Sequence, residues 1–312
     1  MPMQALAAGL SRYAVYGLTV ESAFPLRTLP STEGDGQADV RILRAPPSSF
    51  AGFDASASET TWYRHERLAD GGIYLAIPDV LQAMISADGR VTRCAPVPTG
   101  DPRSFEANVL NFVLTAALTL QGDEPLHATV VRLDERAVGF LGDSGAGKST
   151  LAAFLLADGA ELVTDDMLRI AYDAGEAVAY RGPPRLKLFD EQARLLLPAA
   201  ARDAAFNPMS GKLLVEATSS RDDRFPLAAL FWLDEAAPAT EETVAVRRVQ
   251  GVEAIKMLLA STLHRDHRPP ERTERQLRAI EWLARAVPLF ALGYARCHDL
   301  LPAVANAVRR SR

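Results

Sequence analysis

"GFLGDSGAGKST" runs from Gly139 to Thr150, and "AELVTDD" follows from Ala160 to Asp166. The first stretch fits G-x-x-x-x-G-K-[ST], the pattern of a loop that cradles nucleotide phosphates. Its glycines let backbone N–H groups turn inward around phosphate oxygens. Lys148 neutralises the outer phosphates, and the Ser149 hydroxyl suits Mg²⁺. The flanks agree: "AVGFLG" before the loop is an apolar strand, and "STLAAFLLADG" after it is a short amphipathic helix. That helix turns the positive end of its dipole toward the anion. The expected nucleotide-binding residues are therefore Gly142, Asp143, Ser144, Gly145, Ala146, Gly147, Lys148, Ser149 and Thr150.

"AELVT" then reads as a second strand. A strand–helix–strand connection makes its two strands parallel, with a right-handed crossover. Parallel neighbours end at one sheet edge, the edge where ligands bind in such sheets. Asp165 and Asp166 are thus expected beside the phosphate loop. Two carboxylates there can divide the work: one holds Mg²⁺ directly or through water, and the other accepts the proton of an incoming hydroxyl.

A third segment points to the same place. "LHATVVRLDERAVGFLG" reads as a hairpin turning at Asp134-Glu135. A two-residue turn carries His127 opposite Gly142, and a three-residue turn carries it opposite Asp143. Either register brings a titratable side chain to the loop.

The rest of the chain sets the frame. The first hundred residues read as mostly strand, with β-rich runs at Tyr13–Ser22, Ala38–Leu43 and Gly72–Ile77. "CAPVPTGDPR" (Cys94–Arg103) marks a boundary, giving a smaller mostly-β domain over 1–102 and a catalytic domain over 103–312. Ala107–Gly122 predicts a packed helix too short to span a bilayer. Beyond it, strands alternate with helices, which favours an α/β core with parallel strands. The tail predicts a helix in "TERQLRAIEWLARAV", a strand in "PLFALGY" and a last helix in "LLPAVANAVRR".

A formal net charge of −5 gives no electrostatic reason to expect nucleic acid or an anionic membrane as partner. Two distant cysteines, Cys94 and Cys297, lack metal-ligand spacing and predict idle thiols. With no leader-like start, a cytoplasmic location is expected. His65, His264 and His267 are expected at the surface. Lys212 and Arg265 carry only weak signals.

His127 in "LHATVV", the loop "GDSGAGKST" and the acids of "LVTDD" together resemble the catalytic core of the HPr kinase/phosphorylase family. The likeness is clear over Leu126–Arg169. It continues more weakly through "RGPPRLKLF" and "RFPLAALFWL" to the C-terminal helices. It implies an HPr-kinase-like P-loop fold for the C-terminal domain, with ATP or GTP and Mg²⁺ as cofactors. By position it implies phosphate and metal binding by Lys148 and Ser149, Asp165 near the metal, Asp166 as general base on a serine hydroxyl, and His127 as a supporting group. The opening "YAVYGLTVES" and the "PPRLKL" loop look more like a divergent branch found with ribosomally made peptides. That branch includes kinases of lasso-peptide precursors, so the implied partner is a peptide or small protein; a homo-oligomer is left open.

In "RLKLF", Arg185 and Lys187 share one face if the segment is a strand. Arg185 is the one expected to reach the phosphate site. Two other readings stay open: an HPr-type serine kinase/phosphorylase, and an ATPase in which Asp234 and Glu235, ending the apolar run "LAALFWLDE", hold the metal and activate water.

Overall fold

The computed structural model describes residues 9–58, 61–219, 222–233 and 244–312. It is a mixed α/β protein with several sheets. By its internal contacts the chain divides into two compact units. The first holds residues 1–123 with the short segments 207–209 and 264–269, and the second holds the remainder.

The first unit is built on one seven-stranded sheet. Its strands are β1 (Ser11–Val15), β2 (Leu18–Ser22), β3 (Val40–Arg44), β4 (Arg64–Arg67), β5 (Ile73–Ile77), β6 (Leu81–Ile85) and β7 (Val91–Pro96). They lie in the order β1-β2-β3-β7-β6-β5-β4. The run Tyr13–Ser22 is not one strand but a hairpin. Tyr16 and Gly17 both have positive φ, 56° and 69°, as a tight two-residue turn requires. The expected boundary at Cys94 is likewise the end of a strand, β7, which buries the Cys94 thiol; Cys297 is exposed.

A helical stretch follows: α1 (Pro102–Asn108), one wider π turn over Val109–Val113, and α2 (Leu114–Gln121). Asp101 caps it by accepting from the Ser104 N–H at 2.8 Å, and Gly122, at φ 109°, ends it. Leu110, Leu114 and Leu118 are buried, as its all-round apolar sequence demands. Among the described residues no helix is long and apolar enough to cross a membrane.

The three histidines expected at the surface are elsewhere. His264 and His267 are buried, and His65 is half-buried with its ring 5.5 Å from that of His267. The charges flanking them in sequence mask an aromatic environment. Phe112, for instance, packs 4.5 Å from the His264 ring.

The second unit begins with β8 (Thr129–Leu133) and β9 (Arg136–Leu141), followed by α3 (Lys148–Ala157) and β10 (Glu161–Thr164). Then come β11 (Ile170–Asp173), β12 (Glu176–Tyr180), β13 (Arg185–Leu188), α4 (Asp190–Leu196), α5 (Pro198–Arg202), β14 (Ala205–Asn207) and β15 (Lys212–Glu216). It closes with β16 (Arg224–Leu233), β17 (Ala245–Val249), α6 (Gly251–Ser261), α7 (Pro270–Ala286), β18 (Leu289–Gly293) and α8 (Leu301–Arg310). The three tail elements match the sequence reading.

The main sheet is mixed rather than parallel. β9, β16 and β18 run parallel, while β8, β12 and β17 pair antiparallel to their neighbours. β10 and β9 point the same way, but they are not neighbours. β8 lies between them, antiparallel to both. The hairpin supplies its own first strand to the sheet, and that strand takes the place the crossover strand was expected to fill.

Both faces of this sheet are covered. Val131, Leu133, Val138 and Phe140 pack in one core with Leu151 and Leu155 of α3 and Val304 of α8. Val130, Ala137 and Leu141 pack in the other with Leu258 of α6 and Leu283 of α7. This is why "TVVRL" and "AVGFL" read as nearly unbroken apolar runs.

Candidate nucleotide site

The phosphate loop leaves the end of β9 in a conformation that only glycine adopts freely. Gly142, Gly145 and Gly147 have φ of 133°, 90° and 92°. A β-carbon at Gly142 would lie 3.2 Å from the Leu233 carbonyl oxygen and 3.3 Å from the Ala146 β-carbon, whereas at Gly145 it would meet nothing within 4 Å. The base of the loop is packed and its tip is open.

Lys148 opens α3 and is buried. Its ammonium donates to the carbonyls of Gly142 and Asp143, both at 2.9 Å. The loop thus folds back over its own lysine. Burial lowers the pKa of this amine, against the pull of Asp165 and Asp166.

The hairpin register is the two-residue one, with Leu133 opposite Arg136 and Thr129 opposite Phe140. Continued past the ladder, it carries His127 to the loop. The His127 Nδ1 lies 3.1 Å from the Asp166 carbonyl oxygen. A carbonyl only accepts, so Nδ1 carries the proton and Nε2 keeps its lone pair. Burial, then the nearby Lys148 charge, lowers the pKa of the ring, so it is neutral at pH 7.

The two aspartates have different surroundings. Asp165 is buried and saturated with donors: the Thr129 hydroxyl at 2.7 Å, the Lys187 N–H at 2.9 Å and, more weakly, the Ser149 hydroxyl at 3.3 Å. Burial and the charge of Asp166 nevertheless push its pKa up to about 6. Asp166 sits at φ 70°, left-handed, and its carboxylate lies 2.6 Å from the Lys187 ammonium. Burial works against its charge, but the Lys187 ammonium outweighs it and holds the group below the usual carboxylate range. Asp166 is therefore the more acidic member of the pair. A left-handed non-glycine residue costs about 1 kcal/mol or more; the His127 bond to its carbonyl and the Lys187 ion pair hold it there.

These residues border one cavity of about 240 Å³. Ser144, Gly145, Gly147, Lys148, Ser149 and Thr150 form one wall, and His127, Thr129, Asp166, Lys187, Phe189 and Lys212 lie among the residues around the rest. Gly142, Asp143, Ala146 and Asp165 stand behind this surface. Arg185 is buried outside the lining, and its strand neighbour Lys187 takes the place expected of it.

Sequence reasoning missed Lys187, Phe189 and Lys212 as a group. Leu186 and Leu188 of β13 fill the core, which turns Arg185 and Lys187 to the other face, but alternation alone does not say which cation reaches the loop. β13 pairs with β15 through Leu188 and Leu213, so the next rung sets Lys212 beside Phe189. No local signal carries that pairing. The rival pair Asp234 and Glu235 lies outside the described residues.

No family model matches the chain, and no curated protein does. Among solved structures, the Hpr(Ser) kinase/phosphatase from Coxiella burnetii is similar over 60% of this chain and 94% of that one, at 12% identity and a TM-score of 0.33. A likeness that distant assigns no role to any residue.

Ser149 Oγ and Asp165 Oδ1 are hard oxygen donors 3.3 Å apart, a fit for Mg²⁺, which takes few protein ligands and completes its octahedron with phosphate oxygens and water.

Proposed function

We propose that this protein is an ATP-dependent kinase that transfers the γ-phosphoryl group to a serine hydroxyl of a peptide or small protein. One observation carries the reading: Asp166, an ionised carboxylate, borders the same cavity as Lys148 and Ser149 of the phosphate loop. A carboxylate so placed can take the proton of an acceptor hydroxyl as it attacks the γ-phosphorus.

The loop amides and Lys148 hold the nucleotide phosphates, and Ser149 with Asp165 would hold Mg²⁺. When bound, that ion would neutralise negative charge on the phosphates. The acceptor oxygen then attacks the γ-phosphorus in line. A new O–P bond forms, the bond from the γ-phosphorus to the bridging oxygen breaks, ADP leaves, and the hydroxyl proton passes to Asp166. Asp166 is a weak base while Lys187 is on it. Phosphate charge entering the cavity competes for Lys187 and raises the basicity of Asp166, so the base is armed by the substrate it serves. His127 holds the Asp166 backbone in its left-handed turn.

The likeness in motifs to the peptide-tailoring branch makes a ribosomally made precursor, modified near its C-terminus, the acceptor of choice. The first unit, which has no catalytic motif, is assigned to docking it. Intact-mass measurement tests this. A precursor peptide encoded beside the gene gains one phosphate with ATP and Mg²⁺, and loses the gain when its terminal serine is changed to alanine. Phosphorylation of HPr alone, or steady ATP hydrolysis that no peptide redirects, overturns the reading.

A further inference from the structure

Lys148, Lys187 and Lys212 all line the phosphate cavity, and they are not equivalent. Lys148 is held by two loop carbonyls. Lys187 is held by Asp166 at 2.6 Å. Lys212 makes no hydrogen bond or ion pair among the described residues; its ammonium rests 5.0 Å from the centroid of the Phe189 ring. That ring is itself 54% exposed.

The backbone under Lys212 is well fixed. Gly211, at φ 66°, closes the preceding turn, and from Leu213 onward β15 is laddered to β13. Among the described residues the side chain above it rests on a cation–π contact with an exposed ring, among the weaker charge contacts, and feels the Asp166 carboxylate only at longer range. A rigid base with a loosely parked charge is the arrangement of a group that moves. Lys187 fits this role less well, because it starts out paired with Asp166 at 2.6 Å and its exchange there serves the base.

The phosphoryl group in transit spreads charge over three equatorial oxygens. Lys148 meets the nucleotide before and during transfer alike, so its contacts raise affinity more than rate. A cation that arrives only as charge develops raises the rate. We propose that Lys212 is that cation: it leaves the Phe189 ring and closes on the phosphoryl group in flight, the role an arginine finger takes in other phosphate-loop enzymes. It makes and breaks no bond in the step, and its compact ammonium on a flexible stem suits such a swing. The proposal rests on the kinase reading.

The test uses ADP, Mg²⁺ and aluminium fluoride, which together imitate the phosphoryl group in transit. Wild-type protein binds ADP and ATP and traps the fluoride complex. In Lys212→Met, ADP and ATP affinities stay within about threefold, while the fluoride complex weakens by about 10² or more; Lys212→Arg recovers most of it. With a phosphorylatable acceptor, Lys212→Met lowers kcat by about 10³ with little change in KM for ATP. Equal trapping by Lys212→Met overturns the proposal, as does an equal loss of ADP, ATP and fluoride binding. Wild-type protein that binds nucleotide but traps no complex sinks this proposal alone. Wild-type protein that binds neither ADP nor ATP removes the kinase reading beneath it.

Discussion

The two sides of the phosphate cavity hold their charges in different ways. On the loop side, Lys148 is buried under its own loop, tied to two carbonyls, and the chain there turns on glycines whose surroundings are tightly packed at Gly142. On the facing side, Lys187 sits on a carboxylate and Lys212 on an exposed ring. The first set of contacts is internal to one short segment. The second joins side chains from separate strands and can be traded for phosphate oxygens. A fixed wall suits binding, and an exchangeable wall suits a step in which charge appears and moves.

The contrast breaks most visibly at Lys148. Lys148→Ala removes the fixed cation, and phosphoryl transfer falls by about 10²–10³ with nucleotide affinity falling alongside. Titration with a fluorescent nucleotide and a transfer assay check both; a variant that transfers at the wild-type rate ends the loop assignment.

Stability sharpens it further. Gly142→Ala forces a β-carbon against the Leu233 carbonyl and Ala146 at a left-handed position, at a cost of about 1–3 kcal/mol in urea unfolding. Lys212→Met, on the other wall, changes stability by no more than about 0.5 kcal/mol. Similar losses for the two would show that the walls are equally rigid.

The smallest effect is a pH dependence. Asp165 has its pKa raised to about 6 in the folded, ligand-free protein, against an ordinary value near 3.8. The folded state then binds the proton more tightly than the unfolded state. The stabilising contribution of the protonated acid is complete below about pH 4 and is lost as pH rises through about 6. Asp165→Asn removes this dependence without destabilising the ligand-free protein at pH 7, while weakening Mg²⁺-dependent nucleotide binding. Denaturant melts of both proteins between pH 4 and pH 8 read it directly. Unchanged curvature in the variant places the titration on another group.

The loop side was legible in the sequence because its geometry is local: glycines at fixed offsets, a lysine and a serine at the helix start, an apolar strand before them. The hairpin was legible for the same reason, with its turn at Asp134-Glu135 narrowed to two or three residues; the two-residue register is the one formed. The facing wall was not legible. Lys187 and Lys212 meet the loop through the pairing of β13 with β15, and alternation in "RLKLF" leaves Arg185 and Lys187 indistinguishable. The sheet order escaped for a related reason. A strand–helix–strand pattern fixes the direction of β9 and β10, but not whether another strand inserts between them, and β8 does. The buried histidines escaped because charged neighbours in sequence hid aromatic neighbours in space.

The central claim is that Asp166 and the phosphate loop form one transfer site, with Asp166 serving the acceptor and not the nucleotide. Asp166→Asn keeps the shape of the side chain and removes its basicity. Its single-turnover transfer to the precursor peptide, followed by intact mass, should fall by roughly 10²–10⁴, while ATP affinity measured on the same sample stays near the wild-type value. Transfer at the wild-type rate by Asp166→Asn, or loss of ATP binding in step with transfer, would contradict the account.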